Sequence, residues 1–224
     1  MNVLIACEES QTVCKAFREL GHRAFSCDLQ ECSGGHPEWH VRGDCLSLIN
    51  GDCVFITEDG KKHAQEGEWD LLIAHPPCTY MSKAGARWMY LKAGVLNEDR
   101  LKLALDAKEF FFKFLNAKCK YIAVENPVPL KIVGLPTPDC VVQPYEHGEP
   151  FSKKTLLWLK NLPPIMPTQI LSEYKPYLPS NTGGAKRGQK HSRGVAKNAK
   201  ESSKTFEGIA KAMAEQWSNY ILKE

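Results

Sequence analysis

Apolar runs of strand length alternate along the first half of the chain with polar turns and with apolar positions at helical spacing. Asn2-Val-Leu-Ile-Ala6 predicts a buried first strand. The polar turn Cys7-Glu8-Glu9-Ser10 follows, with Ser10 placed to cap a helix through Val13, Ala16, Phe17 and Leu20, which Gly21 closes from the C′ position. Arg23 to Cys27 predicts a second strand ending at Asp28. Val54 to Thr57, the turn Glu58-Asp59-Gly60 and a polar return predict a hairpin. Leu71 to Ala74 is a further apolar run, stopped at His75 by Pro76-Pro77, because proline has a fixed φ and no N–H for a ladder. Asn97 is placed to cap a helix to about Asn116 with Leu101, Leu105, Phe111, Phe112 and Leu115 on its apolar side. Tyr121 to Val124 predicts a strand delivering Glu125, and Thr155 to Leu159 another. Phe206 to Ile221 closes the chain as a helix, with Ile209, Ala210, Met213, Ala214, Trp217 and Ile221 at helical spacing.

Strand, polar turn, helix, strand and terminal acid is the opening of a doubly wound α/β nucleotide fold, whose ligands lie beyond the carboxyl ends of the strands. At 224 residues the chain is most simply one domain. Within it, residues 1–162 read as a core, 163–205 as a proline-rich and then basic segment, and 206–224 as a helix returning to the core. The net charge of +3 says less than its distribution. Between 180 and 204 stand Lys186, Arg187, Lys190, Arg193, Lys197, Lys200 and Lys204 against Glu201 alone. Such density suits a phosphate backbone, with an ordinary solvated loop as the alternative. No apolar run approaches the roughly 20 residues of a membrane span. Nine cysteines show no paired framework, and the first strand runs straight into acids, so reduced thiols in a cytoplasm are expected. Cys27, Cys32, His36 and His40 lie close together, but their spacing is not a standard zinc pattern. No metal is assigned, and a structured loop packed by Trp39 is expected there.

Two strand ends carry the candidate chemistry: Pro76-Pro77-Cys78 beyond one, and Glu125-Asn126-Pro127 at the other. The pair, in this order, resembles the fourth and sixth motifs of the DNA cytosine-5 methyltransferases, including compact phage and prophage proteins. The resemblance covers most of residues 1–160 and, more loosely, the last helix. It implies a Rossmann-like S-adenosylmethionine-dependent methyltransferase fold with a reduced or absent target-recognition domain. It also implies Cys78 as nucleophile, Glu125 as the residue that holds the base, and Asn126 as a brace for the glutamate or the turn. The implied cofactor is S-adenosyl-L-methionine, beside Ala6, Glu8, Ser10, Asp28, Asp44, His75 and Pro76. Gly43-Asp44-Cys45 resembles the family's third motif, whose aspartate lies near the adenine. The family's glycine-rich first turn is replaced by Ala6 to Ser10, leaving Glu8 or Glu9 to meet the cofactor's positive charge or to stand as solvated acids. Gly148-x-Pro150 resembles the eighth motif, in which Lys153 and Thr155 occupy the places of two arginines. Lys153 keeps a cation for phosphate or base there, and Thr155 does not.

By that resemblance a Cys78 thiolate adds to carbon 6 of cytosine, and the ring can then take a methyl group at carbon 5. His75 or the bound sulfonium supplies positive charge to the thiol. Glu125, with a raised pKa, protonates ring nitrogen 3. In a duplex the base must first be flipped out. Residues 80–95, with Met81, Arg87, Trp88, Met89 and Tyr90, form a lid over the base or a packed irregular segment. With so little chain after the eighth motif, the expected partner is single-stranded DNA or a loosely read duplex. Lys186, Arg187, Lys190 and Arg193 are the expected phosphate contacts. Methylation of a free pyrimidine nucleotide or of RNA by the same chemistry is the nearest alternative. A non-catalytic DNA-binding or host-inhibiting protein on the same scaffold is another. An amino-methyltransferase would place an aromatic residue where Cys78 stands.

Overall fold

The computed structural model describes residues 1–178 and 194–224. Its centre is a seven-stranded sheet of β1 (Asn2–Ala6), β2 (Arg23–Asp28), β3 (His40–Arg42), β4 (Leu71–Ala74), β5 (Ile122–Pro127), β6 (Cys140–Val142) and β7 (Thr155–Lys160). The strand order is β6-β7-β5-β4-β1-β2-β3. From β3 through β5 all neighbours are parallel. β7 runs antiparallel to both β5 and β6. The order 3-2-1-4-5 reverses direction between β1 and β4, and in doubly wound sheets the ligand crevice opens at that reversal.

The alternation along each central strand explains why helices cover both faces. Leu4, Leu72, Ile122 and Val124 face one way, towards Phe111 and Phe114 of helix α2 (Glu98–Leu115) and Trp158. Val3, Ile5, Leu71 and Ile73 face the other way, towards Phe17 of helix α1 (Thr12–Glu19) and Met213 and Trp217 of helix α3 (Glu207–Ile221). Trp69, Trp158 and Trp217 are among the largest fully buried side chains. The Asn97 side chain caps α2 by accepting from the Arg100 N–H at 3.1 Å. Gly21 closes α1 with φ 81°.

Several expectations are corrected. Ser10 does not cap α1: its hydroxyl meets that of Thr12 at 3.1 Å. The Glu8 carboxylate does the capping, accepting from Val13 N–H at 2.7 Å and Cys14 N–H at 3.2 Å. Leu105 lies on the exposed side of α2, and Ala104 and Phe114 fill the core instead. The stretch 29–43 is less a loop than expected, since His40–Arg42 extends the sheet. His40 is buried with both ring nitrogens used, by the Ser26 hydroxyl at 2.8 Å and the Gln30 carbonyl at 3.0 Å. His36 stacks on Trp39 at 3.8 Å and meets Glu38 at 3.0 Å. Among the described residues no three His, Cys, Asp or Glu side chains are arranged to hold a metal ion. No helix among them is long and apolar enough to cross a membrane.

The basic segment enters the described residues only at its end. Lys186, Arg187, Lys190 and Arg193 lie outside them. A short helical turn, Ala199–Ser203, lies over the carboxyl edge of the sheet. Lys200 meets Glu9 at 3.7 Å, and Lys204 Nζ donates to the Ser33 hydroxyl at 3.2 Å.

Candidate active site

The parallel register sets the site. Ala6 pairs with Ala74, and Ala74 with Val124, so the next residues, Cys7, His75 and Glu125, form one row across β1, β4 and β5. The His75 N–H donates to the Ala6 carbonyl at 2.9 Å and extends the ladder by one residue before the prolines end it. Asp28 ends β2. Asp44, two residues past β3, caps a short helical turn through the Leu46 N–H at 3.0 Å. All of these side chains lie at the carboxyl edge.

His75 Nδ1 lies 3.0 Å from Glu125 Oε2, with their side chains 10% and 13% exposed. Burial alone would lower the imidazole's pKa, but the hydrogen bond and charge of Glu125, helped by Glu8, raise it overall. Burial alone would raise the Glu125 carboxyl, and His75, with a smaller push from Lys153, lowers it overall. The expected raised Glu125 is therefore corrected: its partner outweighs its desolvation.

Cys78 sits on the turn beyond the prolines, and its carbonyl accepts from Met81 and Ser82 N–H at 3.1 and 2.9 Å. The Asn126 amide donates to the Pro76 carbonyl at 2.9 Å and ties that turn to β5. Burial and then the Glu125 charge push the Cys78 thiol up, while the Ser82 hydroxyl and the Lys153 ammonium oppose them. The resting residue is a thiol, and the imidazole expected to supply it with positive charge has Glu125 at its Nδ1. The Lys153 ammonium donates to the Lys204 carbonyl at 3.0 Å and lies within electrostatic reach of Glu125 and Cys78. It faces the site and not an open phosphate track. Thr155 is buried, and its hydroxyl donates back to the Lys153 carbonyl at 3.3 Å.

Glu8 and Glu9 are both buried, which corrects the picture of solvated acids. Glu8 is committed to the start of α1. Glu9 Oε2, His75 Nε2 and Asn126 Oδ1 are buried without a hydrogen-bond partner among the described residues. Glu9 Oε2 faces the Lys200 ammonium at 3.7 Å, which leaves His75 Nε2 and Asn126 Oδ1, at the ends of β4 and β5, as the uncompensated polar atoms of the crevice. The first turn has no glycine, yet Cys7 and Gln11 take left-handed φ of 59° and 58°. Ala6 is wholly buried and offers only its backbone, and Pro76 is buried beneath the turn.

Two contacts had no sequence signal. Arg100, in the first turn of α2, donates to the Thr79 carbonyl at 2.6 Å and lies over the Tyr80 ring at 4.4 Å, clamping the turn just past Cys78. Cys7 and Cys45 bring their sulfurs to 3.6 Å. Residues 83–96 fold as a helical turn and a two-stranded hairpin, with Trp88, Tyr90 and Leu91 exposed and Met89 buried.

No family model matches the chain, and no curated protein matches it. Among solved structures it is similar to an E. coli protein put forward as a DNA modification methyltransferase encoded within a prophage. The two are 15% identical with a TM-score of 0.43, over 76% of this chain and 52% of that one. The chain thus aligns with about half the length of that structure. A likeness of that degree is silent on chemistry, which rests on the side chains.

Proposed function

We propose that this chain is an S-adenosylmethionine-dependent methyltransferase acting on carbon 5 of cytosine in DNA, through covalent attack by Cys78. The observation that carries the reading is that the turn bearing Cys78 and the strand end bearing Glu125 stand side by side, tied by the Asn126–Pro76 hydrogen bond and the His75–Glu125 pair.

The residues present fit the cofactor. Asp28 ends the second strand, where this class of fold receives ribose hydroxyls, and Asp44 stands beyond the next. The buried Glu9 carboxylate makes no hydrogen bond through Oε2 and faces the Lys200 ammonium at 3.7 Å, which a ligand's ammonium would have to share or displace. When bound, the cofactor supplies an electrophilic methyl group. Everything else falls to the chain.

Cys78 loses its proton to solvent, aided by the Lys153 ammonium, and its sulfur forms a bond to carbon 6. The electron pair of the 5,6 double bond shifts into the ring, and nitrogen 3 takes a proton from the Glu125 side. Carbon 5 is then nucleophilic and takes the methyl group. Loss of the carbon 5 proton to solvent expels the sulfur, and nitrogen 3 returns its proton. Asn126 and Arg100 hold the nucleophile's turn still throughout, which is where positioning contributes to rate.

The test is a substrate with fluorine at carbon 5, offered as duplex DNA, single-stranded DNA, RNA and deoxycytidine monophosphate. Fluorine cannot leave as a proton does, so the adduct should persist and map by mass spectrometry to Cys78. Cys78→Ala should give neither adduct nor methyl transfer. An adduct on another cysteine, or turnover by the alanine variant, would overturn the reading.

A further inference from the structure

His75 and Glu125 come from neighbouring parallel strands, β4 and β5, and touch one residue past a paired row. We propose that His75 is the proton-holding partner of Glu125, so that the two act as one acid towards the ring nitrogen of the bound base. This rests on the cytosine reading above. It assigns the proton to a residue that neither the Pro-Pro-Cys nor the Glu-Asn-Pro stretch contains.

The argument begins with what faces the imidazole. Nδ1 has Glu125 at 3.0 Å. The Glu8 carboxylate, on the turn after β1, adds a second negative charge, and Lys153, ahead of β7, adds a positive one. Cys78, three residues on, feels Glu125 but is a neutral thiol at rest. Burial pushes the Glu8 carboxyl up, but its oxygens cap α1 through the Val13 and Cys14 N–H groups and make no hydrogen bond to His75 or Glu125 among the described residues. Lys153 donates to the Lys204 carbonyl and reaches Glu125 through its charge, without a hydrogen bond to it among the described residues. Of the charged groups in this cluster, only His75 both touches Glu125 and can give up a proton near neutral pH.

Nε2 of His75 is buried without a partner among the described residues. A neutral imidazole with its hydrogen on Nδ1 leaves Nε2 a bare acceptor, and an imidazolium leaves it a bare donor. Either is costly unless a ligand atom completes it. The pair is therefore a feature of the ligand site and more than a brace between strands.

The proton count closes. As the sulfur–carbon bond forms, one proton passes from His75 Nδ1 to the Glu125 carboxyl and from the carboxyl to nitrogen 3. As that bond breaks, nitrogen 3 returns the proton to Glu125 and the imidazole regains it. Over a turnover the pair is unchanged.

Two measurements test this. In the protein without substrate, NMR titration of the imidazole, assigned with His75→Asn, should show the proton held to higher pH in the parent than in Glu125→Gln. Identical titrations would overturn the proposal. In the methyl-transfer assay, His75→Asn keeps an amide donor at the Nδ1 place but holds no exchangeable charge. Its rate should fall about 100-fold between the carboxyl's pKa and the raised imidazole pKa, where the parent's His75 is charged, the scale of a lost acid catalyst. It should recover in acid where Glu125 carries its own proton, converge on the parent at alkaline pH where the imidazole is neutral, and leave KM nearly unchanged. A purely structural His75 would give the same loss at every pH, and that result would sink the idea. A parent protein that methylates no cytosine substrate, yet shows the expected NMR titration, would overturn the cytosine reading and the delivery to nitrogen 3. The shared proton would stand.

Discussion

The Asn126 side chain donates to the Pro76 carbonyl at 2.9 Å, joining the end of β5 to the turn that carries Cys78. The strand pairing ends at Ala74, so the Pro76 carbonyl lies beyond the ladder, and the buried Asn126 side chain satisfies it from inside the protein. Asn126→Ala removes the donor and leaves that carbonyl bare. The expected cost is about 1–3 kcal/mol by denaturant titration. Alkylation of Cys78 should also quicken as the turn loosens. Unchanged stability would mean that the prolines hold the turn unaided.

Cys78 reactivity reports the charges around it. Lys153 favours the thiolate and Glu125 opposes it. Lys153→Met should slow iodoacetamide labelling of Cys78 at pH 8 several-fold, and Glu125→Gln should speed it. Peptide mass spectrometry separates Cys78 from the eight other cysteines. Equal rates in all three proteins would show that burial alone sets the thiol.

How much of this was legible follows from the range of each interaction. β1 and β4 were readable because four-residue buried runs have no polar face to disguise them. The hairpin was readable from Asp59-Gly60, with Gly60 at φ 82°. β3 was not, because His-Val-Arg is a strand only by virtue of the β2 edge beside it. Leu105 was misplaced because the pattern counted leucines, while the tight approach of α2 to the sheet favoured Ala104. The positions of Cys78 and Glu125 at one edge were legible from strand ends. The contact between His75 and Glu125 was not, since 50 residues separate them and only the β4–β5 register brings them together.

Glu8 gives a prediction about stability that rests on the start of α1. Its carboxylate satisfies two buried N–H groups at the start of α1, which packs against α3. Glu8→Ala should cost about 2 kcal/mol, a lost cap with the donors left unpaired. Ser10→Ala, at the position that looks like the cap in sequence, should stay within about 0.5 kcal/mol. Reversal of the two values would restore Ser10 as the cap.

The last prediction concerns pH and stability. His75 has a raised pKa in the folded chain, so its contribution is fully present below its unfolded value and is lost as pH rises through the raised one. Glu125 has a lowered pKa, so its contribution is present above its unfolded value and is lost as pH falls through the lowered one. The two overlap in a window bounded below by the depressed carboxylate and above by the elevated imidazole. Within that window His75→Asn should lose about 2 kcal/mol, the scale of a hydrogen bond to a charged group. The difference from the parent should shrink on the acid side, where Glu125 is protonated in both proteins, and on the alkaline side, where the imidazole is neutral. In a Glu125→Gln background the same substitution should give a much smaller difference with a weaker slope, because only the Glu8 charge then remains to favour the imidazolium. Denaturation midpoints from pH 4 to 9 check this. A parent-to-variant difference that is flat across that range would mean the pair carries no charge in the folded protein.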